Sequence, residues 1–198
     1  MTEPYRPPER LRTERLALRA STVADAPAIL AAYATDPLVA RYTGWRPHRS
    51  VDETVAYLER CDAKRAAGTD FAFVIEERTN GEGHSNAGEA TVERKAAAAL
   101  IGMIEAHVAR HAVGFGYVLR RGRWGKGFAA EALAALVAHA LAHPSIFRAH
   151  AVCDVDNPAS ARVMEKAGMV REGVLRCYLV HPNVSHEPRD CLVYAKVR

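Results

Sequence analysis

Gly122, Gly125 and Gly127 are set among Arg120, Arg121, Arg123 and Lys126. Glycines interleaved with cations suit an anion, because a backbone without side chains can approach a ligand closely and fixed positive charge surrounds it. A tight, solvated turn would use the same residues, so the loop alone leaves both readings open. Neither common phosphate motif fits. No Gly-Lys-Ser/Thr ending is present to put a hydroxyl on magnesium, and Ala130 stands where a G-x-G-x-x-G would need its third glycine.

The flanking periodicities say what positions this loop. Val113, Phe115, Tyr117 and Leu119 alternate with the two-residue period of a strand, whereas Ala129, Leu133, Leu136, Val137 and Ala140 recur at helical spacing. The loop is therefore a strand-to-helix junction, and the free N–H groups of the first helical turn point at whatever sits there. The same helix ends with His139 and His143, spaced i, i+4 before Pro144. That spacing suits a metal, but no third ligand is near and no His-Glu-x-x-His core exists; contact with the helix C-terminal dipole explains the pair, and no metal is expected. Cys61, Cys153, Cys177 and Cys191 are scattered without a C-x-x-C pair, as inert thiols would be.

Composition bounds the remaining classes. A chain of 198 residues with 49% hydrophobic content is read as a single domain over 1–198. No apolar run is long enough to span a bilayer, and residues 1–12 are polar and proline-containing rather than a signal peptide, so a cytoplasmic protein without a membrane partner is expected. A net charge of +4, from 27 basic and 23 acidic side chains, suits an anionic ligand without marking a nucleic-acid binder.

In chain order, Leu16 and Leu18 mark a first strand over 12–19, and Thr22 and Asp25 have capping-box spacing ahead of a helix that tolerates Pro27 only in its opening turn. Residues 41–50 carry Tyr42, Trp45 and His48 and read as a loop; Val51, Val55 and Leu58 begin a second helix that ends near Gly68. Strands are expected over 71–75, 100–108 and 147–152. The polar interval 76–98 is read as a flexible hairpin insertion. Asn157, Pro158 and Gly168 fit the cap, the first position and the residue past the end of a further helix.

The stretch Trp124-Gly-Lys-Gly-Phe-Ala-Ala-Glu-Ala132 resembles the glycine loop of the GNAT superfamily of N-acetyltransferases, in the form of the ribosomal-protein-alanine acetyltransferase branch. The family's Arg/Gln position falls on Gly122, with Arg121 or Arg123 as substitutes. Asn157-Pro-Ala-Ser160-Ala-Arg-Val-Met-Glu-Lys166-Ala-Gly168-Met169 resembles the family's second motif, in family order, and the similarity covers nearly the whole chain apart from 76–98. The resemblance implies an α/β fold with a mixed, largely antiparallel sheet flanked by helices and splayed where acetyl-CoA enters. Arg123, Trp124, Gly125, Lys126, Gly127, Phe128 and Ala129 would then face the coenzyme with Asn157 and Ser160, while residues 41–50 would help form the acceptor pocket.

The implied activity is direct transfer of an acetyl group from acetyl-CoA, as co-substrate, to a primary amine such as a protein N-terminal α-amine. An ammonium with pKa about 8 for an α-amine or about 10 for a lysine must lose a proton before it attacks, and the departing thiolate benefits from a proton donor. Backbone N–H groups near Val118 and Leu119 are candidates to polarise the thioester carbonyl. Ser160 and Tyr178 are the candidate acids, Ser160 being favoured by its motif. The carboxylate that many relatives carry before the Gly-Tyr pair falls here on Gly114, leaving Glu105, His111 and His181 as candidate bases. That substitution motivates the alternative of a non-catalytic acyl-CoA sensor of the same fold. An edge strand pairing into a homodimer is a further expectation.

Overall fold

The computed structural model of the chain describes residues 3–78 and 99–198. Among these, eight strands form one sheet in the order β1-β2-β3-β4-β5-β6-β8-β7. The strands are β1 (Arg10–Arg12), β2 (Leu16–Ala20), β3 (Asp70–Glu77), β4 (Ala99–Ala109), β5 (Ala112–Leu119), β6 (Arg148–Asp154), β7 (Val170–Leu179) and β8 (Arg189–Val197). Every neighbouring pair is antiparallel except β5 and β6. That one parallel pair needs a crossover, supplied by helix α4 (Phe128–Ala142).

The centre of the sheet is buried on both sides by two groups of helices. β3 shows why its sequence is continuously apolar. Phe71, Phe73 and Ile75 enter one core with Leu133, Leu136 and Val137 of α4, and Ala72 and Val74 enter the other with Ile29, Tyr33 and Leu58. Leu58 belongs to α3 (Val51–Ala67), which Ser50 caps by accepting from Glu53 N and which stops at Gly68 with φ +76. On the other face, α5 (Pro158–Lys166) starts where Asn157 accepts the Ser160 N–H at 3.1 Å.

Several expectations need correction. The strand expected over 12–19 is a hairpin, because Thr13 Oγ1 accepts the Leu16 N–H at 3.0 Å and Thr13 N–H donates to Leu16 O at 2.9 Å, turning the chain between β1 and β2. The following helix is a composite of a 3-10 turn, α1 (Ala26–Ile29) and a π turn, leading to α2 (Pro37–Ala40). Its start is as expected in one respect, since the Asp25 carboxylate accepts the Thr22 N–H at 2.8 Å. The insertion expected over 76–98 begins too early: Glu76 and Glu77 pair with Leu100 and Ala99 as part of β3, and residues 79–98 lie outside the described residues. Among the described residues no helix is long and apolar enough to cross a membrane, and no group of three or more His, Cys, Asp or Glu side chains could hold a metal ion.

Candidate active site

The site begins where the parallel pair comes apart. Residues 112–115 of β5 pair with 148–151 of β6, and beyond them both strands continue without each other, β5 to Leu119 and β6 to Asp154. The gap opens into a cleft of about 1120 Å³ that runs between the glycine loop, α5, β4 and residues 41–48. Just past β5, Arg120 N–H donates across to Ile101 O of β4 at 2.8 Å. Antiparallel alternation then turns the Leu119 amide toward the open edge and the Val118 amide toward β4.

One end of the cleft is made largely of backbone. Gly125 and Gly127 have φ of +75° and +81°, a region open to glycine at no steric cost. A Cβ built on Gly125, which lines the cleft, would meet nothing within 4 Å, so the loop presents bare peptide there. Phe128 and Ala129 open α4, and their N–H groups belong to the first turn, which has no intrahelical acceptors. This end fits a phosphate-bearing ligand. The Trp124 indole donates to Leu119 O at 2.8 Å and ties the loop back to the strand. The cations are differently used: Arg123 is held by Glu77 at 2.6 Å and Arg121 by Asp36 at 3.2 Å, while Lys126 is exposed and stands outside the cleft lining.

Across the gap, Ser160 in the first turn of α5 meets Tyr117 of β5. The two hydroxyls are 2.7 Å apart, and Tyr117 also donates to the Ser160 carbonyl at 3.1 Å. Burial raises the Tyr117 pKa, keeping the phenol protonated. Cys153 also lines the cleft, where burial pushes its thiol up to about 11, and the nearby Cys191 adds to the effect. Tyr178 is half exposed at the rim.

The other end is made of side chains. Glu105 and His107 of β4 point to the same side, opposite Gly116 and Gly114 of β5. Tyr57 of α3 donates its hydroxyl to Glu105 Oε1, and His107 Nδ1 is hydrogen-bonded to Asp70 Oδ1 of β3. His107 Nε2 stands 3.7 Å from Glu105 Oε2. At Gly114, where relatives carry a carboxylate, a Cβ would lie 3.2 Å from His150 Nε2 of β6, a contact that only a shift of the imidazole relieves. A histidine from the neighbouring strand thus fills that space, and burial, then Arg148, lowers its pKa.

The three residues singled out in 41–50, Tyr42, Trp45 and His48, all line the cleft. His48 Nδ1 is 2.8 Å from Thr54 Oγ1, and burial lowers its pKa. Of the candidate bases, Glu105 and His181 line the cleft. His181 is buried with its Nε2 3.7 Å from Asp154, whose carboxylate Arg189 grips at 2.6 Å. His111 is an exposed turn residue of the β4–β5 hairpin and is not brought to the cleft. Sequence reasoning passed over Tyr57, Asp70, His107, Tyr117 and His150. For His107 a signal existed: it follows Glu105 by two residues on an expected strand, and period-2 alternation puts both on one face.

Comparison with known proteins agrees with this geometry. The sequence pattern of the Acetyltransferase (GNAT) domain matches residues 15–170. A Bacillus subtilis (strain 168) protein described as an uncharacterized N-acetyltransferase, YoaA, is 30% identical over 191 residues, covering 95% of this chain and 96% of that protein. Among solved structures, a Bacillus anthracis GNAT-family acetyltransferase superimposes with a TM-score of 0.73 at 25% identity, covering 95% and 98% of the two chains. RimL, a ribosomal L7/L12 alpha-N-protein acetyltransferase solved in complex with coenzyme A, gives a TM-score of 0.77 at 20% identity over 96% and 98%. The eight-stranded mixed sheet with its flanking helices is the GNAT fold, and the chain belongs to the GNAT acetyltransferase family.

Proposed function

We propose that the protein, one acetyltransferase domain over its whole length, moves the acetyl group of acetyl-CoA onto a primary amine by direct attack, with the α-amine of a protein N-terminus as the acceptor class. The observation that carries this reading is the parting of β5 from β6 between two unlike ends, one of bare backbone and one of acid–base side chains. The donor's phosphates rest at the glycine loop and the α4 N-terminus, in contact with Trp124, Gly125, Gly127, Phe128 and Ala129 and with Arg123 beside them. Asn157 and Ser160 flank the stretch nearer the thiol. The Leu119 N–H, on the open edge, polarises the thioester carbonyl.

Tyr117 and Ser160 share hydrogen bonds at the gap, so a proton delivered to the departing thiolate comes from this pair. A protonated Cys153 thiol is a poor nucleophile, which favours direct transfer over an acyl-enzyme. The N-terminal acceptor is supported by the likeness to RimL and by the aromatic wall of Tyr42, Trp45 and Tyr57 at the cleft's acceptor end, which suits the first residues of a peptide.

The test is release of free coenzyme A thiol from acetyl-CoA, followed continuously with N-terminal peptides, free amino acids, polyamines and aminoglycosides. Amine-dependent release, highest with peptides, is the expected result. Release with small amines alone would replace the acceptor class, and acetyl-CoA binding with silence across the panel would favour a non-catalytic acyl-CoA-binding protein.

A further inference from the structure

We propose that Glu105 Oε2 and His107 Nε2 together seat the acceptor's primary ammonium, that His107 is the base that deprotonates it, and that Asp70 is the positioning residue that fixes the imidazole for this task. The inference deepens the transferase reading above and depends on it.

The hydrogen-bond inventory of the cluster leaves few alternatives. Burial opposes ionisation of Asp70, but hydrogen bonds from His107 and Thr69 and the Lys64 ammonium 3.3 Å away hold its pKa below the ordinary value. An ionised carboxylate only accepts, so His107 Nδ1 must carry the hydrogen, and the tautomer this selects has its lone pair on Nε2. Glu105 has one oxygen, Oε1, occupied by the Tyr57 hydroxyl; its other oxygen faces His107. Two acceptors 3.7 Å apart have no hydrogen to share between them. One nitrogen placed about 2.8–2.9 Å from each would bridge them, and a primary ammonium has the hydrogens to do so.

The glycines opposite make the room. A Cβ on Gly116 would lie 4.0 Å from His107 Nε2, and Gly116 immediately precedes Tyr117, at the position where β5 leaves β6. The seat therefore lies beside the free edge of β5 and within the cleft. The charged and titratable groups that face His107 are Asp70 from β3, with Lys64 of α3 behind it, Glu105 from its own strand and His150 from β6. Ring nitrogen Nε2 takes one proton from the ammonium and returns it to water at the exposed edge of the imidazole. As the C–N bond forms and the C–S bond breaks, the nitrogen loses a second proton, which balances the one that ends on the thiolate. One ammonium, one thioester and no further reactant give one amide, one thiol and one released proton.

The experiment is the pH profile of kcat/KM for the acceptor in full-length wild type, His107→Gln, Asp70→Asn and Glu105→Gln, with acetyl-CoA affinity measured alongside. His107→Gln should lower kcat/KM by about 10²-fold or more and remove the acid limb of the profile. Asp70→Asn, which removes a negative charge from the imidazolium's partner, should lower kcat and move that limb to lower pH. Glu105→Gln should act mainly on acceptor KM. In all three, acetyl-CoA affinity should stay within about threefold. A wild type that turns over while His107→Gln keeps its rate and its acid limb, or while Asp70→Asn leaves the limb in place, overturns the proposal but not the transferase reading. A wild type that never releases thiol with any amine overturns that reading instead.

Discussion

The two ends of the cleft are built by different means. The end proposed for the donor comes from two short runs of chain, 117–130 and 157–160, and is made chiefly of peptide groups: two left-handed glycines, a helix N-terminus and a capped first turn. The end proposed for the acceptor gathers Tyr57 from α3, Asp70 from β3, Glu105 and His107 from β4 and His150 from β6, side chains that meet only because the strands are in register. A backbone site is local, and one ligand fixes it; a side-chain site assembled across strands can change its acceptor by changing one residue on one strand.

Five substitutions sharpen the contrast or break it. The largest effect is expected from Tyr117→Phe combined with Ser160→Ala, which should lower kcat by about 10²-fold while acetyl-CoA still binds; each single change should cost nearly as much as the pair if the hydroxyls act as a unit. Gly127→Val forces a β-branched residue to φ +81°, at a cost of about 1–3 kcal/mol. Calorimetry should show acetyl-CoA affinity reduced by about tenfold or more, with acceptor KM unchanged. An equal loss at both ends would mean that the two halves are not separable.

Tyr57→Phe acts on the opposite end. It leaves Glu105 Oε1 without its donor, a loss of about 1–3 kcal/mol, and steady-state kinetics should show acceptor KM raised by about tenfold with acetyl-CoA affinity intact. The smallest effect concerns pH and stability. His150 has a folded pKa below its usual 6.5, so the unfolded chain binds the proton more readily. Its contribution is present in full above about pH 6.5 and declines as the pH falls through the lower folded value; the acid-side drop in Tm should shrink in His150→Gln, and an unchanged drop would clear His150 of that role.

What the sequence made legible follows the same division. Gly127, Phe128 and the Asn157 cap could be placed because cap and turn chemistry is read within three or four residues. The alternation through Tyr117 and Leu119 and the helix at 128–142 were equally readable. The partnership of Asp70 with His107 was not, since they lie 37 positions apart and nothing local announces that β3 and β4 pair them. The same limit hid His150, whose place beside Gly114 depends on the β5–β6 register, and it made the exposed His111 look as eligible as a cleft residue. The turn at Thr13 was missed for a different reason: a three-residue strand before it is too short to show a period.

The early parting of β5 and β6 has a consequence for what can enter. Edges of sheets normally lie at the periphery, where any passing strand can add to them. Here a row of peptide donors and acceptors faces inward from mid-sheet, with α4 and α5 beside it. A folded partner is too thick to reach it, whereas a slender extended molecule carrying amides of its own can lie along it as a substitute strand. The gap is a size and shape filter set by where four residue pairs stop, and a guest that fills it completes the hydrogen bonding of the sheet that admitted it.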